Sequence, residues 1–196
     1  MSYLVWLSFF SYNLITSITP GPMNIVAMNA AGYFGFRKSR SIFGGLVLGL
    51  LAVLLLCGLF SATLSEILPQ MLKYMKYIGS GYIVWIAWTI VRSRPSAGTA
   101  QAAELDFQRA FFLQFFNVKA YIWAITVYTA YVLPYDSSLP NVLAFAGLML
   151  LIATLCALIW ALAGALLSSV LKKYWGAANG VMALMLFYSA ISLLLA

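Results

Sequence analysis

Residues 41–64 read SIFGGLVLGLLAVLLLCGLFSATL, and no charged side chain interrupts the run. A bilayer core of about 30 Å is crossed by about 20 apolar residues in a helix. In lipid every backbone polar group must be satisfied internally, which only helices and closed barrels achieve. Barrel strands would show alternation over about ten residues, and this run shows none. It reads as a transmembrane helix, and that reading decides the fold class.

Windows of the same kind lie near 4–30, 71–91, 110–133, 141–167 and 178–196. The expectation is therefore an all-α integral membrane protein of roughly six transmembrane helices, a single membrane domain over 1–196 with no room for a soluble one. Composition agrees: 64% of the 196 residues are hydrophobic and 8% charged, against roughly a quarter charged in soluble domains. Met1 to Asn13 lacks a basic n-region and a small-residue cleavage site, so it reads as part of the first span rather than as a removable signal.

The net charge is +7, but the basic residues form no stripe of the kind that binds nucleic acid. They read as topology signals. Arg37, Lys38 and Arg40 lie in the first connection, Arg92, Arg94 and Arg109 in the third, and Lys172 and Lys173 in the fifth. The opposite side carries only Lys73 and Lys76. The positive-inside rule puts the odd connections in the cytoplasm, so that both termini face outward. Tyr3, Trp6, Tyr33, Trp88, Tyr131, Tyr135, Tyr174 and Trp175 stand near span ends, where interfacial anchors are expected.

The polar stretch 92–109, with Pro95, Ser96, Gly98, Glu104 and Asp106, separates halves of about 1–91 and 110–196 and reads as a cytoplasmic hinge. Three spans that start outside followed by three that start inside make an inverted-topology repeat.

The sharpest local feature is Thr19-Pro20-Gly21-Pro22 in the middle of the first span. The two prolines remove two amides and crowd the carbonyls of Thr16 and Ile18, one turn earlier. The helix must break or kink there, and freed carbonyls are tolerated at membrane depth only in protein or at a polar cavity. Asn13, Thr16, Ser17, Thr19, Asn24 and Asn29 supply polar side chains nearby. A discontinuous helix offers amides to an anionic group and carbonyls to a cationic one, the pair of partners that an amino-acid zwitterion needs. The plainer alternative is a kink used only for packing.

The second feature is Gln114-Phe115-Phe116-Asn117-Val118-Lys119 in the fourth span. Lys119 is the one cation that topology does not explain. An intramembrane charge is costly and marks a solute path by default, while snorkelling of its long stem is the competing reading. Gly45 and Gly49 have small-xxx-small spacing, which favours close helix packing.

Other chemistries lack their residues. There is no histidine, no HExxH, no GxSxG and no pair of intramembrane aspartates, so an enzyme is not indicated, and nothing points to a cofactor or metal. Glu66, Glu104, Asp106 and Asp136 fall at or beyond span ends. Cys57 and Cys156 lie singly in apolar runs and read as reduced, packed thiols.

These residues resemble the LysE/RhtB superfamily of bacterial amino-acid exporters over essentially the whole chain. The resemblance rests on Thr19-Pro20-Gly21-Pro22 with Asn24, on Gly35-Phe36-Arg37, on Gly45 and Gly49, and on Tyr82-Ile83-Val84-Trp85-Ile86-Ala87-Trp88. Where many members carry Asn-Pro-Lys, this chain has Asn117-Val118-Lys119, so a matching kink in the second half lacks its usual cause. That variant, with the stretch Thr16 to Ile25 and Val132-Leu133-Pro134, looks most like the cysteine and O-acetylserine exporter subgroup. The resemblance implies efflux driven by the proton gradient.

The sequence thus leads to an exporter of small neutral amino acids. Its solute site is expected at Thr16, Ile18, Thr19, Pro20, Gly21, Pro22, Asn24, Asn117 and Lys119. Lys119 and the amides after Pro22 would hold the carboxylate, and the carbonyls of Thr16 and Ile18, with Asn24, the amino group. The rivals are a mover of another small solute or ion and a structural subunit of a membrane complex. A homodimer is an expectation from size alone.

Overall fold

The computed structural model describes the backbone of residues 1–92 and 106–195, and their side chains except at 61–73, 75, 76, 172 and 192–195. Among these residues the chain is all helix: α1 (Tyr3–Ile18), α2 (Pro22–Phe34), α3 (Arg40–Leu59), α4 (Ser61–Arg92), α5 (Phe107–Phe115), α6 (Val118–Val127), α7 (Leu139–Leu166), α8 (Ser168–Lys173) and α9 (Trp175–Leu195). A π-helical turn at Tyr128–Val132 continues α6. Most of the expected hinge, including Arg94 and Glu104, lies outside the described residues, as do the side chains of Glu66, Lys73, Lys76 and Lys172.

Two helices, Arg40–Leu59 and Leu139–Leu166, are each long and apolar enough to cross a membrane; Phe107–Phe115 and Val118–Val132, bent by 56° at their junction, make a third candidate together. Tyr3–Ile18 and Trp175–Ile191 are shorter apolar helices.

Two expected boundaries need correction. The window 41–64 is not one span, because α3 ends at Leu59 and α4 begins at Ser61. The gap expected at 65–70 is therefore helix. Hydropathy falls there through Ser65, Glu66 and Gln70, but polarity lowers apolarity without breaking a helix. The window 110–133 is likewise interrupted at Phe116 and Asn117.

Glycines set the closest packing. A Cβ on Gly45 would meet the Phe107 carbonyl and Ala110, and one on Gly49 the Phe111 carbonyl and Gln114. Gly45 and Gly49 thus let α3 lie backbone to backbone on α5. A Cβ on Gly164 of α7 would likewise meet the Met28 carbonyl of α2, and one on Gly32 the Gly164 carbonyl. Gly35, at the end of α2, has φ of +76°, which only glycine adopts without strain.

The core between these pairs contains Phe9, Val26, Leu46, Val53, Leu54, Ile86, Leu113, Ala124 and Met149. Cys57 and Cys156 are both buried and free. The aromatic residues divide. Tyr3, Trp88, Tyr135 and Tyr174 are exposed, whereas Tyr33 is buried and donates to the Leu171 carbonyl at 3.3 Å, so it is a packing residue rather than an anchor.

Candidate functional site

The first helix is interrupted where its prolines require. α1 ends at Ile18, Thr19 is extended with φ −62° and ψ 146°, Gly21 is extended too, and Pro22 is the first residue of α2. Proline is tolerated there because the first amides of a helix have no internal partner.

Four carbonyls at this break, those of residues 16–19, meet side-chain donors. The Thr16 carbonyl accepts from Thr19 Oγ1 at 2.8 Å, the Ser17 and Thr19 carbonyls from Asn24 Nδ2 at 2.8 and 2.9 Å, and the Ile18 carbonyl from Trp160 Nε1 at 3.0 Å. Asn24 thus staples the end of α1 to the start of α2, and Trp160 reaches across from α7.

A second break lies opposite the first, and no proline makes it. Asn117 has φ −85° and ψ 84°, outside the helical region, and separates α5 from α6. Its Nδ2 donates to Gln114 Oε1 at 3.0 Å. Neither Gly21 nor Asn117 caps the following helix with a side chain; at α6 the Val118 amide donates to the Phe116 carbonyl at 3.2 Å and the Ala120 amide to the Asn117 carbonyl at 2.8 Å.

Lys119, in the first turn of α6, joins the two breaks. Its Nζ donates to Thr19 Oγ1 at 2.7 Å and to the Thr19 carbonyl at 3.2 Å, and its stem lies over Gly21, where a Cβ would come within 3.3 Å of Nζ. Among the described residues the ammonium has no carboxylate partner and no further acceptor. Since an ammonium carries three donors, one remains available.

Two cavities meet at this point. The larger, about 330 Å³, is lined by Thr16, Thr19, Pro20, Gly21, Pro22, Asn117 and Lys119 together with Tyr12, Tyr188 and Ser189. The smaller, about 50 Å³, is lined by Thr16, Ser17, Gly21, Pro22, Asn24, Asn117 and Lys119 with Leu50, Gln114, Trp123 and Ala153. The larger is at the low end of the roughly 300–1,000 Å³ of small-molecule pockets.

Eight of the nine residues expected from sequence therefore line one or both cavities. Ile18 lines neither, because it ends α1 with its carbonyl turned to Trp160. Two other polar residues expected near the break work elsewhere: Asn13 accepts from Trp123 Nε1 at 3.1 Å, and Asn29 donates to Met182 Sδ at 3.4 Å. The sequence reading missed Trp160, whose signal is only a tryptophan inside an apolar run. It also missed Gln114 as a wall residue, although it stands in the same motif as Asn117 and Lys119.

Comparison with known proteins supplies the context. The family model described as LysE type translocator matches residues 14–196. The cysteine/O-acetylserine efflux protein of Escherichia coli (strain K12) is 39% identical over 184 residues, 94% of each chain. The protein of the same name from Shigella flexneri is 38% identical over 191 residues, 97% of this chain and 98% of its own. No solved structure matches.

Proposed function

The chain belongs to the LysE type translocator family, and on that premise we propose that it exports small neutral amino acids and derivatives, cysteine, O-acetylserine or similar, across the bacterial inner membrane. The observation that carries this reading is Lys119: a half-buried cation with two donors fixed on Thr19 and a third free at a cavity of solute size.

In this reading the solute carboxylate takes the third Lys119 donor and the first-turn amides of α2 after Pro22, where a helix N-terminus favours an anion. The solute ammonium needs acceptors. The Ile18 carbonyl is used by Trp160, so that role passes to the second lone pairs of the Thr16 and Thr19 carbonyls and to Thr16 Oγ1. Snorkelling of Lys119 is disfavoured, because its Nζ turns inward to the opposite break. A cation path is disfavoured by the same ammonium, and no carboxylate lines either cavity.

The reading takes α1 with α2, α3, α4, α5 with α6, α7 and α9 as six spans, divided into halves by the segment around 92–109. Packing supports the repeat. The first broken helix packs on α7, the second on α3, and α4 pairs with α9, which is the pattern obtained when corresponding members of two halves exchange places. Alternating access would follow from one half rocking on the other around the two breaks. Both termini would then be periplasmic, and a homodimer fits the size without being needed for the mechanism.

The test is counterflow of labelled cysteine, O-acetylserine, threonine and lysine in liposomes holding the purified protein, with Pro22→Ala as control. Flux of a neutral amino acid that is lost in Pro22→Ala is the expected result. No flux of any of them by folded, inserted protein would leave the other-solute or structural-subunit readings.

A further inference from the structure

Gln114 is fully buried, at 0% exposure, and its two ends are treated differently. Oε1 accepts from Asn117 Nδ2 at 3.0 Å, while Nε2 is buried with no partner. Leaving a buried donor unpaired costs about 1–3 kcal/mol, and native proteins rarely keep one without a use. The residue lines the smaller cavity, and so does Ser17, whose Oγ is also buried without a partner. Two residues with unpaired hydrogen-bonding groups, one from each break, thus line one small space whose remaining walls include Leu50, Trp123 and Ala153.

We infer that the smaller cavity is the subsite for the solute's side chain, and that Gln114 with Ser17 selects short side chains carrying a hydrogen-bond acceptor. This rests on the amino-acid export reading and extends it from the α-amino and α-carboxyl groups to the part that distinguishes one amino acid from another. The geometry is consistent: Lys119 lines both cavities, so a solute whose carboxylate it holds from the larger can reach the smaller with its side chain.

Chemistry and size limit the occupant. The carboxamide Nε2 only donates, so it needs an acceptor such as an ester carbonyl or a hydroxyl, and a thiol serves weakly. The space of about 50 Å³ is small beside the roughly 300–1,000 Å³ of pockets that hold a whole small molecule, so it suits a short side chain. The acetyl ester of O-acetylserine fits. An aromatic side chain exceeds the space, and an aliphatic one of equal shape fits but leaves both polar groups unpaired, the circumstance under which polar sites reject apolar analogues most strongly.

The experiment compares O-acetylserine with homoleucine, its apolar isostere, as competitors of labelled counterflow in liposomes. Wild-type protein is expected to prefer O-acetylserine by at least about tenfold. Gln114→Leu should bring that preference to within about threefold by weakening O-acetylserine and sparing homoleucine, and Ser17→Ala should reduce it by a smaller factor. If Gln114→Leu fails to insert, the wild-type preference and the Ser17→Ala shift decide. Equal competition by the two solutes in wild-type protein would overturn the subsite, as would equal loss of both in Gln114→Leu, or an unchanged ratio in both variants. Absence of counterflow with any amino acid in wild-type protein would overturn the export reading itself, and the subsite with it.

Discussion

The two helix breaks that face each other are built by opposite means. At Thr19–Gly21 the cause is covalent: Pro20 and Pro22 cannot continue a helix, and the fold then supplies Thr19, Asn24 and Trp160 to occupy the carbonyls of residues 16–19. At Phe116–Asn117 no proline compels anything. The backbone turns at Asn117 with ψ of 84°, and the neighbours that hold it are an amide side-chain pair, Asn117 with Gln114, and the close seat of α5 on Gly45 and Gly49. A helix can therefore be broken by its own chemistry and then satisfied, or broken by its surroundings. Only the first kind is written locally.

The largest effect that tests this comparison is expected where the breaks are joined. Lys119→Ala removes the donor to Thr19 and the charge offered to the solute. Bonds to charged groups contribute about 1.5–3 kcal/mol, so counterflow should fall by roughly ten- to a hundredfold, measured against the amount of inserted protein. Wild-type flux in that variant would separate the two breaks functionally.

The next effect distinguishes how each break is held. Asn24→Ala removes two hydrogen bonds, to the Ser17 and Thr19 carbonyls at the end of α1, and should lower stability in detergent by about 2 kcal/mol. Asn117→Ala removes one, from an amide partner, and should cost about 1 kcal/mol. Thermal unfolding in the same detergent reads both, and the reverse order would show that the second break carries the greater burden.

The smallest effect is expected at Val118. It is the first residue of α6, where proline is favoured, the preceding Asn117 already lies outside the helical region, and the amide that proline would remove makes only a short turn bond to the Phe116 carbonyl at 3.2 Å. Val118→Pro should stay within about 1 kcal/mol of wild type with transport retained. The same change at Ala124, within α6, should cost about 3 kcal/mol or more. Equal damage at both positions would mean that the second break is not a true helix start.

This contrast also explains what could be read in advance. The apolar windows were legible because lipid demands them, and the first break because proline chemistry is local. The resemblance carried by Thr19-Pro20-Gly21-Pro22 reached the family, to which the chain belongs. The second break was not legible: Asn117-Val118-Lys119 contains no residue that forbids a helix, and its turn depends on packing against α3. The single-residue junction at Phe60 was missed because hydropathy registers polarity rather than helix ends. Lys119 was conspicuous as a charge, but its meeting with Thr19, a hundred residues earlier, is a property of the fold. Gln114 belongs to the same motif as Lys119, but an unpaired amide becomes visible only when its neighbours are known.

The central claim is that the solute sits between the two breaks. The most direct test is alkylation of Thr16→Cys, in a background where Cys57 and Cys156 are replaced by serine, by a membrane-permeant maleimide with and without saturating O-acetylserine. Thr16 lines both cavities, so the account predicts that the solute slows labelling at this position severalfold and leaves a cysteine placed at exposed Leu4 unaffected. A variant that still transports O-acetylserine yet is labelled at the same rate with and without it would contradict the account.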